Sequence, residues 1–183
     1  ERIIRHAAGL GRSPIEPDPD RYDKMHIHCD VLVVGTGPAG LAAALAAGRR
    51  GARVIVAEQD SECGGQLLSG DETIDGMPSA DWVAAAVGEL RSLPEVTLLP
   101  RTTVFGYYRH NFLAALERTG DHLGTTAPSE MPRQRLWKIR AAQVVLATGA
   151  IERPLVFADN DRPGVMLAGA ARTYVNRYAV RLG

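Results

Sequence analysis

Cysteine is scarce in this sequence: Cys29 and Cys63 are the only two in 183 residues. Two cysteines make neither a disulfide framework nor a metal-binding set, and their scarcity points to a reducing, cytoplasmic setting. Neither sign of charge is in excess. Lys plus Arg and Asp plus Glu number 21 each, for a formal net charge of zero. No basic stripe stands out, which argues against nucleic acid as a partner. The longest apolar runs are interrupted by Gly and Arg well short of a membrane span, so no membrane contact is expected. The first residues, Glu1 to His6, lack the apolar core of a signal peptide. The chain starts at Glu rather than Met and so reads as a piece of something longer. His6, His26, His28, His110 and His122 show neither metal-ligand spacing nor a Ser or Cys partner arrangement. No catalytic residue and no metal ligand is therefore expected. What remains is ample apolar content, 45%, enough for one domain with extensions.

The chain is organised around residues 30–45. After Asp30, Val31 to Val34 is a short run of aliphatic, mostly β-branched residues that leads into Gly35, Gly37 and Gly40, and an Ala/Leu run follows at helical spacing. Strand, glycines, then helix is the context in which G-x-G-x-x-G marks dinucleotide binding. Gly35 allows the tight turn, Gly37 lets a pyrophosphate approach the backbone, and Gly40 lets helix pack closely on strand. Pro38 fits the first helical turn, where its missing N–H costs little. With Ala39 it opens a helix whose N-terminal N–H groups face the phosphates. A second strand, Ala52 to Ala57, ends in Glu58, eighteen residues beyond Gly40 (58 minus 40). An acid there accepts hydrogen bonds from ribose hydroxyls and repels a 2′-phosphate, favouring NAD or FAD over NADP.

Before this unit, residues 1–12 suggest a short helix with Ile3, Ile4, Ala7 and Leu10 on one side, ended by Gly11. An extended arm with Pro14, Pro17 and Pro19 follows. In the first helix of the unit, Leu41, Ala44, Leu45 and Gly48 repeat at buried-face spacing. After it, residues 59–78 are expected to be irregular, and Gly64 and Gly65 are expected to edge the cofactor. Cys63 has no C-x-x-C partner and reads as an inert small residue. Residues 79–92 form a second helix, capped by Ser79 or Asp81, with Trp82, Val83, Ala86 and Leu90 on one face. Val96 to Leu99 is the third parallel strand, giving strand order 3-2-1. Then come three short strands of an antiparallel meander, 102–108, 111–117 and 134–140, with a loop from 118 to 133. Lys138 and Arg140 share one strand face, expected to be solvated. A separate buried strand, 142–150, ends in Ala147, Thr148 and Gly149. It should return beside the first strand, so that Thr148 and Gly149 meet the ligand crevice. The last segment is amphipathic, with its apolar face in need of a partner. The expected domains are an N-terminal helix and arm, 1–27; a dinucleotide-binding domain, 28–150; and a connector with amphipathic helix, 151–183.

This order resembles the two-dinucleotide-binding-domain flavoproteins over roughly residues 28–150. The expected fold is α/β: a Rossmann-like FAD/NAD(P)-binding three-layer fold with a parallel sheet and an antiparallel β-meander. Flanking motifs narrow the resemblance. They are Ala7 to Arg12 with Glu16 to Tyr22, Gly106 to Tyr108 with His110 to Phe112, Glu152 to Met166, and Arg172 to Tyr178. Together they resemble the alpha subunits of heterotetrameric sarcosine oxidases. That resemblance implies an oxidoreductase acting on CH–NH donors, which demethylates sarcosine to glycine with oxygen, yields hydrogen peroxide and passes the one-carbon unit to tetrahydrofolate. It implies NAD held in this fold, FAD in the beta subunit, FMN at the alpha–beta boundary, smaller companion subunits, and a folate domain far downstream. Residue by residue, Gly35, Gly37, Ala39 and Gly40 would line the pyrophosphate. Glu58 and Gln59 would face the adenosine ribose, Gln66 would sit near the cofactor beside Gly65, and Val104 would lie near the adenine. The chemistry of such a class belongs to its cofactors, so this chain is expected to bind cofactor and support assembly.

The residues leave alternatives open. The same glycine turn and acid serve FAD as well as NAD. The chain also suits a related opine, proline or amine dehydrogenase, or a structural dinucleotide-binding module without turnover. An FAD-dependent reductase is a further alternative, though the absent C-x-x-C counts against the disulfide type.

Overall fold

The computed structural model describes residues 2–9 and 15–182. A first helix, α1 (Arg2–Ala7), is followed by β1 (Tyr22–Val34), α2 (Pro38–Gly48) and β2 (Val54–Ala57). A two-stranded hairpin, β3 (Thr73–Ile74) and β4 (Met77–Pro78), precedes α3 (Ser79–Ser92) and β5 (Val96–Leu99). The meander is β6 (Thr102–Tyr108), β7 (Phe112–Glu117) and β8 (Gln134–Leu146), and α4 (Ala168–Arg172) runs on into a π-helical turn, Thr173–Arg177. The proposed end of the first helix at Leu10 and Gly11 lies outside the described residues.

Six strands form one mixed sheet in the order β5-β2-β1-β8-β7-β6. β5, β2, β1 and β8 run parallel, and β8, β7 and β6 antiparallel. The expected 3-2-1 order is present as β5-β2-β1. Alternation along the strands makes three layers, because successive side chains point to opposite faces. Val33, Val54 and Val56 pack on Leu41 and Ala44 of α2 and on Val83, Ala86 and Leu90 of α3. Leu32, Val34, Ile55 and Leu99 pack on Leu113, Ala115, Trp137 and Ile139 of the meander. β1 and β2 are therefore covered on both faces and read as apolar runs, whereas the end of β8, expected to be buried, is not: Leu146 is 60% exposed. Leu41, Ala44, Leu45 and Gly48 are all buried, as their spacing predicts.

Three expectations are corrected. The segments 134–140 and 142–150 are one continuous strand, β8, ending at Leu146. No Gly or Pro interrupts it, and β1 pairs with it from Tyr22↔Gln134 to Val34↔Leu146. For the same reason β1 begins at Tyr22, inside the stretch expected as an arm, so a boundary at residue 27 cuts a strand. The cap of α3 is neither Ser79 nor Asp81. Pro78 occupies that position, and the Ser79 hydroxyl donates instead to the Leu67 carbonyl at 3.1 Å.

A bulge lets β1 serve both cores. The amides of Asp30 and Val31 both donate to the Arg53 carbonyl, at 2.9 and 3.2 Å. That two-against-one pattern shifts the alternation by one residue, so Ile27 and Cys29 join Leu32 and Val34 in the same core. The bulge is held by Asp30, whose carboxylate accepts from the Arg53 amide at 2.9 Å and from its guanidinium at 2.7 Å. The Arg53 side chain, then its backbone amide, lower the Asp30 pKa to about 2. A depressed carboxylate contributes stability above its ordinary pKa and loses it as pH falls through the folded value. Thermal melts of Asp30→Asn should therefore lose less stability than the parent between about pH 4 and pH 2; equal slopes would contradict this role.

Candidate functional site

The carboxyl ends of β1, β2 and β8 converge on the glycine turn. Gly35 adopts φ +97°, a conformation that side chains with a Cβ rarely hold. A Cβ on it would strike the carbonyl oxygen of Ala147, the residue after β8. Gly40, in the first turn of α2, backs directly onto the Gly35 carbonyl, so helix and turn touch through backbone alone. Gly37 caps α2 with extended geometry, φ −64° and ψ −178°, and Pro38 occupies the first helical turn. Pro38 and Ala39 are exposed at the helix start. A Cβ built on Gly37 would meet no atom within 4 Å. The three motif glycines thus differ: two are demanded by the fold, and the third faces open space.

Glu58 closes the turn from β2. Its side chain is buried, 7% exposed, and one oxygen accepts from the Thr36 amide at 2.9 Å and from the Thr36 hydroxyl. The other accepts from the Asp60 amide at 3.0 Å. A carboxylate has about four lone-pair sites, so these three bonds leave one acceptor position on Oε1. Thr36 was not singled out from the sequence. It is 1% exposed, and its position between the two glycines was the available signal. Its carbonyl also accepts from the Gly64 amide at 3.0 Å.

The Gly64–Gly65 loop lies against the turn: a Cβ on Gly65 would come within 3.1 Å of the Gly37 Cα. Gln66 follows, exposed, in a short 3-10 helix, Gly65–Ser69. Gln59 is exposed and accepts from Arg118 through its carbonyl at 2.9 Å. Thr148 and Gly149 are exposed just past Ala147. Of the expected residues, Gly35, Gly37, Pro38, Ala39 and Gly40 form the turn and helix start, and Glu58, Gly65 and Thr148 lie against them, while Gln59, Gln66 and Gly149 are exposed beside these in the chain. Val104 stands apart, partly buried against the meander-side core. Burial raises the Cys63 pKa above the ordinary thiol value.

A second cleft, of about 480 Å³, lies between Pro19–Arg21 and the loop preceding β8. Its Arg133 is already paired with Asp20 and Asp121, so it offers no free charge there. No helix among the described residues is long and apolar enough to cross a membrane.

The geometry matches known proteins. The family model described as FAD dependent oxidoreductase matches residues 30–149. Sarcosine oxidase subunit alpha of Rhizobium meliloti (strain 1021) is 56% identical over 100% of this chain, which spans 18% of that protein. The subunit of the same name from Corynebacterium sp. (strain P-1) is 53% identical over 96% of this chain, again 18% of its own length. Among solved structures, L-proline dehydrogenase from P. horikoshii aligns with a TM-score of 0.68 and 27% identity, covering 88% of this chain and 31% of that one. The chain thus spans about a fifth of the length of the curated relatives it matches.

Proposed function

We propose, for a chain that belongs to the FAD dependent oxidoreductase family, that it forms the dinucleotide-binding part of a sarcosine oxidase-type alpha subunit. The observation that carries the dinucleotide reading is Gly37, the motif glycine whose missing side chain the fold does not require. The pyrophosphate lies over it, against the free amides of α2. The open acceptor on Glu58 takes one ribose hydroxyl, and the buried carboxylate repels a 2′-phosphate, which favours NAD or FAD over NADP. NAD is the ligand the resemblance implies, with FAD the alternative. When bound, either supplies hydride chemistry that no side chain provides.

This chain's own residues bind, orient and exclude water. Thr36 holds the Glu58 carboxylate in place, Gly65 and Gln66 edge the phosphates, and Thr148 and Gly149 close the far side. The resemblance implies that in the complete enzyme FAD in the beta subunit, FMN at the alpha–beta boundary and a downstream folate domain would supply sarcosine oxidation and one-carbon transfer. The two unpaired cysteines suit a reducing cytoplasm.

The test is the nucleotide released when the full-length protein, purified with its companion subunits, is denatured. Absorbance and mass should identify NAD from this site, one per chain, beside the flavins of the partner. FAD in excess of the one the beta subunit carries, with no NAD, would reassign the site to FAD, and no adenine dinucleotide beyond the beta subunit's own would overturn the reading. Turnover of proline or an opine but not sarcosine would move the assembly to a related dehydrogenase.

A further inference from the structure

The loop from Cys63 to Gly70 meets the glycine turn at one end and the C-terminal segment at the other. At the near end are the Gly64–Thr36 bond and the Gly65–Gly37 approach. At the far end, the Ser69 carbonyl accepts two side-chain donors from about a hundred residues later: Arg172 Nε at 2.9 Å and Asn176 Nδ2 at 2.9 Å. The hydroxyls of Thr173 and Ser69 are 3.2 Å apart. Arg172 also donates to Glu72 at 2.6 Å, and Arg177 to Glu62 at 2.5 Å.

These attachments converge. Arg172 and Asn176 are four residues apart and share a helical face, and both lone pairs of one loop carbonyl are taken. The ion pairs to Glu72 and Glu62 are largely solvent-exposed on the acidic side and add little. The doubly bonded carbonyl therefore carries most of the hold. Tyr174, Val175 and Tyr178 on the same segment remain exposed. It is the polar side of this segment, rather than its apolar side, that grips the domain.

We propose that Arg172 and Asn176 are positioning residues that clamp Ser69, hold Gly64 and Gly65 against the glycine turn, and so set how long the dinucleotide stays bound. The retention half rests on the function proposed above. The clamp itself is independent of it.

The experiment uses the full-length protein and compares the parent, the double variant Arg172→Ala/Asn176→Ala, and Arg172→Lys. Hydrogen exchange is followed by peptide, and release of bound NAD and FAD is timed by dilution. In the double variant, exchange across 63–70 should quicken at least about tenfold, as expected for losing both side-chain hydrogen bonds to the Ser69 carbonyl. Exchange in β1, β2 and α2 should stay unchanged. Dinucleotide release should quicken by a similar factor, and Arg172→Lys, which keeps a donor and the charge, should recover part of both. Unchanged exchange at 63–70, an equal rise across the sheet, or a loosened loop with unchanged release would overturn the proposal. If the parent retains neither NAD nor FAD, the dinucleotide reading fails instead, and the exchange pattern alone still decides the clamp.

Discussion

Replacing Gly37 by alanine should empty the site while leaving the fold intact. The residue's backbone is ordinary extended geometry, and the added methyl meets nothing within 4 Å. Gly→Ala at a compatible position stabilises through the unfolded chain by about 0.4–1 kcal/mol, so the melting temperature should hold or rise slightly. The pyrophosphate, however, needs that same space. Forcing a methyl into a packed contact costs about 1–3 kcal/mol, or roughly fivefold to a hundredfold in Kd. Nucleotide affinity, measured as the Kd by titration of the emptied protein, should weaken by that factor with circular dichroism unchanged. A parent-like Kd would mean that no phosphate lies over residue 37.

Gly40→Ala should do the reverse and damage the fold directly. Its Cβ would run into the Gly35 carbonyl and come within 3.3 Å of the Ala147 Cβ. A backbone oxygen cannot rotate away as a side chain can, so α2 must shift off the sheet. Overpacking of this kind costs about 3 kcal/mol, of which the better helix propensity of alanine returns about 1 kcal/mol. For a chain of this size the remaining loss lowers the melting temperature by about 4–8 °C. Gly37→Ala and Gly40→Ala, two identical changes three residues apart, should therefore separate ligand from structure. A melting temperature for Gly40→Ala equal to the parent's would show that α2 has slack at its start.

Most of the order of elements was legible because these left a local mark; the β3–β4 hairpin, inside the stretch 59–78 expected to be irregular, did not. The glycine turn, the α2 face, the acid after β2 and the alternating meander strands are periodic or motif signals, and all of these elements lie where their residues place them. The length of β1 and β8 was misjudged because a strand's extent is set by its partner. Tyr22 to Ile27 look like an arm until Gln134 to Ile139 run alongside them. Thr36 was missed because a threonine inside a glycine motif shows no pattern of its own. Only the approach of Glu58 and Gly64 makes it the hub of the site.

Residues 30–58 alone specify a strand, a tight glycine turn, a helix and an acid at the distance a ribose requires, because spacing along the chain and the missing Cβ atoms are local properties. Which of those glycines serves the fold and which leaves room for a ligand depends on Ala147, far along the chain, whose atoms meet a Cβ on Gly35 or Gly40 but not one on Gly37. The tie from Ser69 to Arg172 and Asn176 likewise joins distant parts of the chain. Steric contact and hydrogen bonding act through space, and those distances exist only once the chain has folded.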